Sequence, residues 1–127
     1  MFSLGGAPGV RSKRFAGATG PASVVDPANN AELLRRLQGA PEHRRAARYR
    51  CVLVLIRRVN AVPEMFEGRC TGRILEAPSG EGGFGYDPYF FCTELGKSFG
   101  EAAAAEKDAV SHRGRALQAL LAALGPA

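Results

Sequence analysis

Two stretches hold the residue types best suited to chemistry. The first is Pro78-Ser79-Gly80-Glu81-Gly82-Gly83-Phe84-Gly85-Tyr86-Asp87-Pro88, where two aromatic rings and two carboxylates sit among four glycines and two prolines. Glycine lets backbone approach a ligand closely, and aromatic rings fixed between glycines exceed what a plain surface turn requires. The second stretch gathers Lys107, Ser111, His112 and Arg113 near the start of a C-terminal helical pattern. Basic and polar groups at the positive end of a helix dipole can hold an anion or a carbonyl oxygen.

The elements that must position these groups can be read from spacing. Gly5-Gly6-Ala7-Pro8-Gly9 reads as a loop. Asp26 before Pro27 has the form of an N-cap with proline at the first helical position, and Leu33, Leu34 and Leu37 share a face before Gly39. That pattern predicts a helix over 27–38. The branched apolar run from Arg48 to Val59 predicts a central strand buried on both faces. A second strand over 64–76, containing Gly68 and Gly72 and so twisted or bulged, would pair with it as an antiparallel hairpin. Tyr89 to Cys92 reads as a short apolar strand. Val110, Leu117, Leu120, Leu121 and Leu124 fall on one stripe, predicting a core-facing C-terminal helix that ends at Gly125-Pro126.

Composition narrows the class. A chain of 127 residues with 46% hydrophobic and 23% charged residues is expected to be one globular domain, 1–127. The apolar run Cys51 to Ile56 is far short of the roughly 20 residues that cross a bilayer, so no membrane partner is expected. Met1 to Gly9 lack the basic start and apolar centre of a secretory signal, and a cytoplasmic location follows by default. Three widely spaced cysteines, Cys51, Cys70 and Cys92, suit neither a disulfide framework nor a zinc site and are expected as small strand residues. The net charge of +5 favours anionic ligands. Arginine clusters at 11–14, 35–36, 44–50 and 57–58 hold a single interleaved aromatic residue, Tyr49, so they are expected to solvate faces rather than bind nucleic acid.

Gly83-Phe84-Gly85-Tyr86-Asp87-Pro88 together with Glu106-Lys107-Asp108-Ala109-Val110-Ser111-His112-Arg113 closely resembles the signature of the inosine/xanthosine triphosphate pyrophosphatase family. The similarity extends through Gly6-Ala7-Pro8-Gly9-Val10, Arg14-Phe15-Ala16-Gly17, Asn30 with Leu33-Leu34, Cys51-Val52-Leu53, Phe66-Glu67-Gly68 and Gly72-Arg73-Ile74. The resemblance implies an α/β fold with a central mixed sheet flanked by helices. It also implies magnesium-dependent hydrolysis of a purine nucleoside triphosphate to monophosphate and pyrophosphate, usually by a homodimer. The substrates would be the deaminated purines, inosine, deoxyinosine and xanthosine triphosphate.

By the same resemblance, Phe84, Gly85, Tyr86 and Asp87 would line the base and sugar pocket, and Lys107, His112 and Arg113 would complete it. Phe84 and Tyr86 could stack on any purine, so selectivity must come from hydrogen bonds. Arg113 and His112 present donors that suit a 6-keto oxygen and reject a 6-amino group. Asp87 could accept from the ring nitrogen or from the sugar, and Lys107 could reach a carbonyl or a phosphate.

The resemblance further calls for a Ser/Thr-x-Asn-x-x-Lys phosphate grip and an Asp-Asp-Ser-Gly-Leu-type motif before the Gly-x-Pro-Gly loop. In this chain that place reads Met1-Phe2-Ser3-Leu4. The expectation is therefore the base-binding and dimerising part of the fold without its N-terminal strands, with neither catalytic base nor magnesium ligands identified and little turnover alone. A non-catalytic nucleotide-binding or dimerising remnant is the alternative, and a small basic RNA-binding domain ranks last.

Overall fold

The structure is a computed structural model and describes residues 2–125. Its helices and strands surround one four-stranded sheet, within the α/β class. Element order is α1 (Ala22–Arg36), β1 (Ala46–Leu55), β2 (Glu64–Ile74), β3 (Phe90–Cys92), β4 (Lys97–Ser98), α2 (Ala104–Val110) and α3 (His112–Leu124), with short 3-10 turns between them. The strands lie in the order β1-β2-β3-β4 and every pairing is antiparallel.

α1 begins before the Asp-Pro pair that reads as its start. Pro21 occupies the N-cap position and its carbonyl accepts from Val24 and Val25, so Asp26 and Pro27 both lie inside the helix. An interior proline costs roughly 3 kcal/mol. Packing outweighs it: Val25, Asn29 and Leu33 fall on one stripe and are buried, and Leu37 continues it just past the helix. Had the helix started at Pro27, Val25 would leave that stripe.

β1 and β2 do form the expected hairpin, in unbroken register from Ala46 opposite Arg73 to Leu55 opposite Glu64. One expectation is corrected. Among the described residues β1 pairs on one side alone, so it is an edge strand whose residues alternate between exposed and half-buried, and it is not a central one. Val52 and Val54 face outward with Arg48 and Arg50, and charged residues on an edge strand oppose pairing with another chain. The glycines of β2 mark no bulge in this pairing. At Gly68 the absent side chain instead lets α3 lie directly on the sheet: a Cβ there would collide with the His112 carbonyl oxygen and come within 2.5 Å of the Ala116 nitrogen.

The C-terminal pattern also resolves differently. Ser111 adopts extended dihedrals and breaks it into α2 and α3, its hydroxyl accepting the Gly114 N–H at 3.0 Å. Close approach at Gly68 turns Ala116 inward to full burial, which leaves Leu117, Leu121 and Leu124 half-exposed instead of core-facing. The core is built from Leu33, Leu37, Cys70, Ile74, Phe90, Cys92 and Phe99. The three cysteines are free strand residues, with Cys70 and Cys92 fully buried.

Because α3 carries His112 and Arg113, its seating on Gly68 bears on the site as well as the core. Gly68→Ala is expected to lower stability by about 1–3 kcal/mol, the usual cost of forcing extra volume into a packed contact. Denaturant unfolding should show a lower midpoint at an unchanged slope. An unchanged midpoint would mean that α3 does not rest on this residue.

Candidate functional site

The glycine-rich loop is closed against the segment that follows β4. Ser79 N–H donates to the Pro88 carbonyl at 2.8 Å, Gly82 N–H to Gly100 at 2.8 Å and Gly100 N–H to Asp87 at 3.0 Å. The Ser98 hydroxyl donates to the Ser79 carbonyl at 2.6 Å, and the Ser79 hydroxyl is bonded to the Glu101 carboxylate. Residues 79–88 are thus held as a shaped platform by bonds that do not depend on a ligand.

Asp87 stands at the centre of that platform. Its carboxylate is buried, and Oδ2 accepts the Phe84 N–H at 3.0 Å and the Lys107 ammonium at 2.5 Å, while Oδ1 accepts the Tyr49 hydroxyl at 3.2 Å. Gly83, at φ 74°, has no side chain because a Cβ would overlap Asp87 Oδ2. Removing one partner of such a buried ion pair typically costs about 3–5 kcal/mol, since the other charge is left unpaired. Burial first, then the Asp87 charge and its hydrogen bond, raise the Tyr49 phenol well above its ordinary value, so Tyr49 remains a donor.

Around the carboxylate lie rings and cations. Phe84 is 59% exposed, with Lys107 Nζ 4.5 Å and Arg113 Cζ 5.2 Å from its ring centroid. His112 stacks on Tyr49 at 4.7 Å between centroids, and Tyr49 stacks in turn on Phe99 at 5.8 Å. Burial lowers the His112 pKa, as do the charges of Arg113 and Lys107, with Asp87 opposing. His112 is accordingly neutral at pH 7. Its Nδ1 is buried without a partner among the described residues, and since an orphaned N–H is costlier than an orphaned lone pair, the proton belongs on Nε2.

Five of the residues expected from sequence, Phe84, Asp87, Lys107, His112 and Arg113, therefore meet at one place. The other two face elsewhere. Gly85 is bonded through its backbone to Asp26 and Asn30 of α1. Tyr86 donates its hydroxyl to the Ser12 carbonyl at 2.6 Å, and its pKa is pushed up to about 12, by burial first and then by Asp26. That leaves Phe84 as the more exposed ring. Sequence reading missed Tyr49, hidden in an apolar strand run, and Asp26, whose place before a proline resembled a cap. It also missed Asn29, whose Oδ1 accepts from Ala16 and whose Nδ2 donates to Ser12 and Lys13.

The divalent metal implied by the resemblance does not fit these groups. Among the described residues no three His, Cys, Asp or Glu side chains converge, and the buried carboxylate of Asp87 is already matched by Lys107.

Helices packed on an antiparallel sheet, with a latched glycine loop presenting an aromatic ring beside two cations, define an α/β protein with an exposed, shaped loop. Residues 1–123 match the Ham1 family along nearly the whole chain, and the chain belongs to that family. It is 50% identical over 121 residues to a dITP/XTP pyrophosphatase of Ralstonia nicotianae, covering 94% of this chain and 58% of that protein. A HAM1 protein from Coxiella burnetii superposes with a TM-score of 0.87 at 35% identity, over 99% of this chain and 62% of the other. A nucleoside-triphosphatase, or dITP/XTP pyrophosphatase, from Mycobacterium abscessus gives a TM-score of 0.78 at 41% identity, over 97% and 60%. The chain thus spans about three fifths of the length of these relatives.

His112 provides a direct check of the geometry. The unfolded chain takes up the proton more readily than the fold does, so this residue's contribution to stability is present at neutral pH and is lost as pH falls below about 6.5. By NMR, the His112 ring should titrate below that value. Asp87→Asn should lower its midpoint further, because Asp87 is the group favouring the imidazolium. A midpoint indifferent to Asp87→Asn would show that the two are not coupled.

Proposed function

We propose that this chain supplies the purine-reading half of a pyrophosphatase that hydrolyses inosine, deoxyinosine and xanthosine triphosphates to monophosphate and pyrophosphate, removing deaminated purines from the nucleotide pool. The observation that carries the reading is the exposed Phe84 ring with Lys107 and Arg113 beside it, in a member of the Ham1 family. A purine laid on Phe84 would gain about 1–3 kcal/mol from stacking, whatever its identity. Discrimination then falls to the rim. Lys107 has N–H donors beyond the one given to Asp87, Arg113 has five, and His112 offers its Nε2–H. A 6-keto oxygen can accept from such groups. A 6-amino group would place donor against donor, at about 1–3 kcal/mol for each bond left unmade.

In this reading Asp87 acts through Lys107, since both carboxylate oxygens are occupied and the group is buried. A homodimer and a cytoplasmic location belong to the same proposal; magnesium enters it through the family resemblance alone, since the described residues offer no set of ligands for it. Nucleic acid is not the partner proposed. Much of the arginine is matched internally, with Arg35 and Arg36 on Glu32, Arg50 and Arg69 on Glu67, and Arg57 on Glu64.

Calorimetric titration of the 127-residue chain with deoxyinosine monophosphate and deoxyadenosine monophosphate tests the recognition step. The inosine form should bind at least about tenfold more tightly. Arg113→Ala should erase that preference, and Phe84→Ala should weaken both ligands alike. Equal affinity in the unmodified protein would refute the reading. Pyrophosphate release from deoxyinosine triphosphate tests turnover: base-selective binding without release would favour a non-catalytic nucleotide-binding protein.

A further inference from the structure

Gly85 joins the Phe84 ring to Tyr86 and sits at φ 59°, in the left-handed region. Among the described residues nothing packs where its side chain would be. Its peptide groups are nonetheless held at both ends by one helix. The Gly85 N–H donates to Asp26 Oδ2 at 3.1 Å, and its carbonyl accepts from Asn30 Nδ2 at 3.1 Å. Asp26 and Asn30 are one helical turn apart on α1, the spacing that brings side chains together on one face. We propose that Asp26 and Asn30 are positioning residues that clamp the Gly85 peptide and thereby fix the Phe84 ring, so that α1 sets the geometry of the purine platform. The inference rests on the reading of Phe84 as the ligand-facing ring.

A second observation distinguishes this clamp from ordinary packing. Asn30 Oδ1 is buried without a partner among the described residues. Reversing the amide would point one carbonyl oxygen at another, so the Gly85 carbonyl dictates its orientation. A buried acceptor left unpaired is a cost to stability, and an apolar residue of similar size would avoid it. What Asn30 contributes is therefore the bond to Gly85. Its neighbour Asn29 completes the arrangement by donating to the Ser12 carbonyl at 3.2 Å, the same oxygen that receives the Tyr86 hydroxyl. The Gly85 peptide groups directly, and the Tyr86 hydroxyl through Ser12, are thus referred to a single helix.

The test compares Asn30→Leu, Asn30→Asp, Asp26→Ala and Asp26→Asn in the full chain. Three quantities are read: affinity for deoxyinosine monophosphate, thermal midpoint, and exchange of the Gly85 amide by NMR. Loss of preorganisation should weaken binding by about tenfold in Asp26→Ala and Asn30→Leu, without a fall in the thermal midpoint of Asn30→Leu. Asn30→Asp keeps the shape but not the donor and should weaken binding in the same way. Asp26→Asn keeps an acceptor and should restore both affinity and slow Gly85 exchange. Unchanged affinity in Asp26→Ala and Asn30→Leu would overturn the inference, as would losses that track the thermal midpoint. Should the unmodified chain not bind the monophosphate, the purine reading fails separately. The clamp is then judged by Gly85 exchange, which must quicken in Asp26→Ala and not in Asp26→Asn.

Discussion

The buried carboxylate of Asp87 is the constraint from which the site is built. It accepts from the Phe84 backbone, the Tyr49 hydroxyl and the Lys107 ammonium, three groups that come from the loop, from β1 and from α2. An isolated carboxylate in such a place would be prohibitively costly, so each of these donors has to be present and aimed. Gly83 lacks a side chain for the same reason, since its Cβ would take up the space of the carboxylate. Through Tyr49 the constraint reaches the stacked rings of Phe99 and His112, and so the core and the rim share one support.

Much of this was legible in the residue order, and the limits of that legibility are physical. The hairpin, the loop and the cluster of Lys107, His112 and Arg113 follow from local pattern, because alternation, turn chemistry and motif spacing are short-range signals. The start of α1 does not. A proline after an aspartate is the strongest local sign of a helix N-terminus, yet here burial of Val25 extends the helix backwards through it. That shift explains why no bond from Asp26 or Asn30 to Gly85 was expected: a cap residue bonds its own helix, whereas an interior pair is free to reach Gly85. The break at Ser111 escaped for a similar reason. A continuous stripe of leucines implies one helix facing the core, and the contact at Gly68 that rotates α3 is invisible without the tertiary fold.

The positive charge of the chain is unevenly balanced. Several of its exposed arginines find carboxylates along α1 and across the hairpin, in surface pairs that add little to stability. Beside the glycine-rich loop the balance is different. Asp87 offsets Lys107, His112 is held neutral, and Arg113 remains as a local cation beside the Phe84 ring. Neutral His112 matters here, because a third cation would repel its neighbours and a charged imidazole would compete for the same acceptor.

In the proposed function, the cations beside Phe84 would let one surface be both sticky and selective. In the free protein they rest against the ring, a contact worth about 0.5–1 kcal/mol at an exposed site. A purine that stacks on Phe84 must share the ring with them. If it carries a 6-keto oxygen, the displaced contact is replaced by a charge-assisted hydrogen bond of about 1.5–3 kcal/mol, and the exchange is favourable. If it carries a 6-amino group, the cation–π contact is disturbed and nothing is gained in return. In the proposed reading, then, selectivity arises because the groups that rest against the Phe84 ring are the same groups that a stacked base must satisfy.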